Sequence, residues 1–105
     1  MTAEERRRAL SLLEAYEPLL TSRQRAIMDA YFRFDLSLTE IAEEEGVSRA
    51  GVLDAIHVSL EKLEDYEKKL KFIELHRTYL SLIEDYEHGD QDSILKLKEM
   101  IKDGI

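Results

Sequence analysis

Apolar residues recur along most of this chain every three or four positions, the repeat of a helix with one buried face. Ala9, Leu12, Leu13 and Tyr16 form the first such stripe and predict an amphipathic helix over residues 4–16. Ile27, Met28, Tyr31 and Phe32 form the second and predict a helix over about 22–34. A short third helix is expected from about 38 to 45. The fourth carries Val52, Ile56, Leu60 and Leu63 on one face, and Tyr66, Leu70 and Ile73 extend the series at the same spacing. Leu75, Tyr79, Leu82, Ile83 and Tyr86 predict a helix over about 72–87, and the pattern leaves open whether it continues the fourth. Ile94, Leu97 and Ile101 mark a last helix over about 91–102. No stretch alternates with the period of a strand, so the expected fold is all-α, a single helical domain over 1–105.

The punctuation between these stripes agrees with them. Pro18 ends the first helix, because the residue before a proline is pushed out of helical geometry, and Leu19-Leu20 anchor the link that follows. Thr21 or Ser22 caps the second helix. Asp35-Leu36-Ser37 makes the next turn, and Ser37 stands three residues before Glu40, the spacing of a capping box. Gly46 stops the third helix at the position where a left-handed residue is needed, and Ser48 caps the fourth. Gly89 and Asp90 separate the last two helices. The run Glu61, Lys62, Glu64, Asp65, Glu67, Lys68, Lys69 reads as a solvated outer face.

Composition narrows the function classes. The chain has 105 residues, 44% of them apolar, four glycines and one proline, which suits one packed helical domain. It has no cysteine, which excludes disulfides and thiolate metal sites and is compatible with a reducing, cytoplasmic setting. No apolar run approaches the roughly 18 residues of a membrane span. Arg6, Arg7 and Arg8 precede a short apolar run, but Glu14 interrupts it and no small-residue cleavage site follows, so a signal peptide is not expected. His57, His76 and His88 are too far apart for a pair of zinc ligands on one helix turn, and Glu43-Glu44-Glu45 does not converge on one point, so no metal is expected. The glycines are isolated, none precedes a lysine, and there is no nucleophile elbow; the expectation is a protein that is not an enzyme and takes no cofactor.

The informative stretch runs from Leu36 to Val52, LSLTEIAEEEGVSRAGV. A helix-turn-helix needs a small residue where its helices cross, a glycine four residues later, apolar residues to pin the pair, and a hydroxyl to cap the second helix. Ala42, Gly46, Ile41 with Val47, Val52 and Ile56, and Ser48 meet those needs and place a helix-turn-helix core at 21–64. A plain helical hairpin inside a bundle would share several of these features. If the fourth helix is a recognition helix, Ser48, Arg49, Ala50, Leu53 and His57 point outward as its reading head, with Arg23 and Arg25 on the second helix near a phosphate backbone. Arg33 and Arg6–Arg8 would add to that basic edge. Ordinary solvated arginines explain the same residues.

Taken together, Leu20-Thr21 with Arg23-Gln24-Arg25, Asp35-Leu36-Ser37-Leu38, Glu40-Ile41-Ala42-Glu43-Glu44, Val47-Ser48-Arg49 and Leu63–Leu70 resemble region four of bacterial sigma factors. More closely, they resemble the YlxM family of small bacterial helix-turn-helix proteins. The resemblance spans residues 16–70, about half the chain. It implies an all-helical fold and a role in the signal recognition particle pathway, as a regulator or adaptor that binds the particle's GTPase or its RNA. It implies no catalytic residue. Two positions depart from the usual helix-turn-helix pattern. Glu45 stands where an apolar residue is usual, and Gly51 sits inside the recognition helix at a cost of about 1 kcal/mol relative to Ala.

Charge bears on the choice of ligand. The net charge of −8 divides into 0 over residues 1–35, −5 over 36–64 and −3 over 65–105. The helix-turn-helix is thus the most acidic part, which opposes phosphate binding and suits a basic protein surface. DNA remains the competing ligand, with the protein then a sequence-specific transcriptional regulator. The long apolar series predicts a homodimer through residues 60–87, using Leu63, Tyr66, Leu70, Ile73, Tyr79 and Ile83 as well as the C-terminal helices at 65–105.

Overall fold

A computed structural model describes residues 1–104. Six α-helices follow one another: α1 (Ala3–Tyr16), α2 (Ser22–Phe32), α3 (Leu38–Glu45), α4 (Arg49–Leu70), α5 (Phe72–Glu87) and α6 (Asp92–Asp103). A single 3-10 turn, Glu17–Leu19, joins α1 to α2, and no strand occurs among the described residues. The chain divides into two compact units, Met1–Leu70 and Lys71–Ile105.

In the first unit, local chemistry starts each helix. Thr2 and Glu5, Thr21 and Gln24, and Ser37 and Glu40 form three capping boxes of the same design. In each, a hydroxyl accepts from the N3 amide while the N3 side chain accepts from the cap amide, so two otherwise orphaned donors are satisfied. The C-terminal end of α2 is closed by Arg6, whose guanidinium donates to the Phe32 carbonyl at 2.8 Å and lies 6.0 Å from the Phe32 ring centroid. Asp35 then takes a left-handed conformation, φ 53°, and sits 3.4 Å from the same guanidinium.

The core of this unit is Leu12 and Leu13 from α1, Met28 and Phe32 from α2, Ile41 from α3, and Val52, Ile56 and Leu63 from α4, all at most 2% exposed. Their spacing is the one expected from the sequence. Three expectations need correction, at Glu67, Leu19 and Leu60. Glu67 does not belong to a solvated face: it follows Leu63 by one turn, is buried, and accepts a 2.5 Å hydrogen bond from the Tyr16 hydroxyl. Leu19 is exposed, and Leu20 alone anchors the link between α1 and α2.

Ser59, not Leu60, completes the buried stripe of α4. Its hydroxyl is fully enclosed and has no hydrogen-bond partner among the described residues. An enclosed hydroxyl without a partner loses its hydration for nothing in return. Ser59→Ala is therefore expected to raise the unfolding free energy by about 1 kcal/mol, read from urea titration by circular dichroism.

The fourth and fifth helices are separate. Lys71 lies between them in a left-handed conformation, φ 54°, which interrupts the helical hydrogen-bond ladder without a glycine or proline. The second unit is a hairpin of α5 and α6, turned at Gly89, whose φ of 105° suits glycine. No helix among the described residues is long and apolar enough to cross a membrane.

Candidate functional site

The site is built where α3 turns into α4. Gly46 adopts φ 67°, and its amide and that of Val47 both donate to the Ala42 carbonyl, closing α3. Ala42 is buried beside Ile41, and Val52 and Ile56 press the two helices together. Only a small side chain fits at such a crossing. The Ser48 hydroxyl accepts from the Gly51 amide at 3.0 Å and so caps α4.

That cap accounts for Gly51. A Cβ at this position would lie 3.2 Å from the Ser48 hydroxyl and 3.8 Å from the Val47 Cβ. Glycine costs the helix propensity but leaves the capping hydroxyl its place. Glu45, at the position where an apolar residue is usual, is half-buried.

Ser48, Arg49, Ala50, Leu53 and His57 are all exposed, on the side of α4 away from its buried stripe. The same surface carries Asp54, Val58 and Glu61. Between Ser48 and Glu61, Arg49 is the sole arginine or lysine against two carboxylates.

The structure separates the two arginines expected on α2. Arg23 borders an open groove lined also by Thr21, Gln24, Ile27, Val47, Gly51 and Ala55, and so joins the first half of α4. Arg25 instead pairs with Glu17 at 2.5 Å. Arg33 pairs with Glu17 and Asp29, and Arg8 makes a two-pronged pair with Glu64 at 3.0 and 2.9 Å. The hydrogen bond from Arg33, with both arginine charges, holds the Glu17 carboxyl below its ordinary value against the opposing effect of burial. The basic edge expected from Arg6, Arg8, Arg25 and Arg33 is thus largely neutralised by the chain's own carboxylates. The groove between α2 and α4 has no sequence signature, because it depends on how the two helices cross.

The residues expected at a dimer interface also separate. Leu63 lies in the core of the first unit. Tyr66 is half-buried, with its ring 6.0 Å from that of Tyr16 and its hydroxyl 3.5 Å from the Leu19 carbonyl. Leu70 is exposed. In the second unit Ile73 is buried, Tyr79 half-buried and Ile83 exposed. Among the described residues, no group of three or more His, Asp or Glu is placed to hold a metal ion.

Comparison with known proteins agrees with this arrangement. Residues 3–103 match the family described as "Putative helix-turn-helix protein, YlxM / p13 like". A UPF0122 protein of Lactiplantibacillus plantarum is 39% identical over 109 residues, covering 96% of this chain and 94% of its own length. One from Bacillus cereus strain AH187 is 43% identical over 88 residues, with 77% and 80% covered. Another from Symbiobacterium thermophilum is 40% identical over 78 residues, with 74% and 73% covered. With the match running through all six helices and the turn at Gly46 formed as a helix-turn-helix requires, the chain belongs to the UPF0122 family of YlxM / p13-like helix-turn-helix proteins.

Proposed function

We propose that this protein acts in the signal recognition particle pathway as an adaptor or regulator, docking its helix-turn-helix on a protein component of the particle. The observation that carries this reading is the outward face of α4. Leu53 and Val58 are 41% and 45% exposed there, beside Asp54 and Glu61, and between Ser48 and Glu61 Arg49 is the one arginine or lysine. A DNA reader draws much of its affinity from cations that replace the counterions of phosphates. An apolar and acidic face is suited instead to a basic protein surface, where complementary potentials speed encounter and exposed apolar side chains supply contact area. The link to the particle itself comes from the YlxM resemblance and from no feature of the surface.

A second reading is supported by the geometry of the motif. Ser48, Arg49, Ala50, Leu53 and His57 share the exposed side of a capped recognition helix, with Arg23 across the groove. In this reading the protein is a sequence-specific DNA-binding regulator. A titration at two salt concentrations separates the two. Labelled protein meets the purified particle GTPase, its RNA, and a pool of random duplex DNA. The expected result is binding to the GTPase with indifference to duplex DNA. Selection of a discrete DNA sequence, lost by about 1–3 kcal/mol on changing Arg49 and His57 to Ala, would replace the adaptor reading with the second.

A further inference from the structure

A groove of about 310 Å³ opens between α2 and α4, and every residue that lines it belongs to the first unit. Its apolar wall is Ile27 on α2, Val47 just before α4, and Gly51 and Ala55 on α4. That volume is at the low end for ligand pockets and takes one or two side chains rather than a cofactor.

The polar groups of the groove divide into those already engaged and one that is not. Thr21 and Gln24 hold one another in the capping box of α2, and Gln24 Oε1 also accepts from Lys62 Nζ at 3.4 Å. Arg23 is exposed and makes no ion pair or hydrogen bond among the described residues. Arg6, Arg8, Arg25 and Arg33 all have carboxylate partners. No carboxylate lines the groove, although the chain has 23 acidic residues. The groove is thus an apolar recess with two cations at its edge, Arg23 and Lys62, in a molecule of net charge −8.

The complement of such a recess is apolar and acidic. A carboxylate beside Arg23 can accept two parallel hydrogen bonds from the guanidinium. An apolar neighbour seated in the recess then excludes water from that pair. A nucleic-acid backbone would meet Arg23 but would leave Ile27, Val47 and Ala55 without an apolar partner. We infer that the α2–α4 groove docks a segment of a partner protein that presents an apolar side chain beside an Asp or Glu. The outward face of α4 has the opposite complementarity. The groove therefore takes a separate segment, and this inference does not rest on the reading of that face.

A displayed library of random linear peptides, selected against the full chain, tests this. Enriched peptides should carry a large apolar residue within about four positions of an Asp or Glu. In fluorescence titration of one such peptide, Arg23→Glu and Ala55→Leu should each weaken binding about tenfold, the first by repulsion and the second by filling the recess. Circular dichroism should show both variants folded. Exchanging the peptide's carboxylate for Lys should restore binding to Arg23→Glu while weakening it to the wild type. Arg7→Glu makes the same change in net charge on α1, away from the groove, and should leave the affinity unchanged. Peptides without an acid, binding indifferent to Ala55→Leu, or an equal loss on Arg7→Glu would overturn the inference. So would duplex DNA that is released on Arg23→Glu while no peptide is enriched, which would assign Arg23 to a phosphate.

Discussion

Leu63→Ala should remove about 2–5 kcal/mol of stability from the first unit, the largest effect expected of any single apolar truncation in α4. Leu63 is fully buried on α4, which packs against α1, α2 and α3, and it lies one turn from both Ser59 and Glu67. Truncation deletes its contacts and leaves a void bounded by helices that the capping boxes hold at their ends. A 70-residue unit has roughly 4–10 kcal/mol in total, so the variant should be partly unfolded at 37 °C. Thermal unfolding followed at 222 nm should show a midpoint lower by 10 °C or more, on the scale of about 4–8 °C per kcal/mol. A loss under 1 kcal/mol would mean that α4 does not close the core as described. Leu53→Ala, on the exposed side of the same helix, should change stability by less than about 0.5 kcal/mol.

The second large effect concerns Glu17, whose carboxylate holds Arg25 and Arg33 together at the α1–α2 junction. Its side chain is only 15% exposed. Glu17→Gln keeps the shape and removes the charge, and should cost about 1–3 kcal/mol at neutral pH, the range for hydrogen bonds to charged groups. The carboxyl is held below its ordinary value of 4.5, principally by the hydrogen bond from Arg33. A depressed folded-state value means that the unfolded chain takes up the proton first as pH falls. The stabilisation is therefore complete above about pH 4.5 and is lost as pH drops through the lower folded value. Wild type and Glu17→Gln should differ most at neutral pH and converge in acid. Parallel stability curves from pH 7 to pH 3 would show that the pair of arginines does not stabilise the ionised carboxylate.

Much of the helix-turn-helix was legible in the sequence because it is written in local rules. Gly46 marks a left-handed stop, Ser37 and Glu40 mark a capping box, and Ala42 with Val52 and Ile56 marks a crossing. Each depends on residues at most four positions apart or on a helical repeat. The same holds for Thr21 and Gln24, which bracket the start of α2. The candidate site was less legible. Arg25 and Arg23 look alike in the sequence, yet one is bound to Glu17 and the other borders the groove beside Gly51. Glu67 looked like one more charge in a solvated run, and its burial against Tyr16 comes from a partner 51 positions away.

What the sequence determined alone is therefore the helices of the first unit, the caps at their starts and most of their inward stripes, since hydrophobic period and end chemistry are properties of short segments. Only the tertiary structure decided which charges remain for a partner. Arg8 is neutralised by Glu64, and Arg25 and Arg33 by Glu17, and a guanidinium takes whichever carboxylate packing brings within 3 Å. It likewise decided that α4 ends at Leu70, where Lys71 turns left-handed with no breaker in the sequence to announce it. Periodicity carries straight through that point because it records which residues are apolar, while a backbone break depends on what the flanking helices pack against.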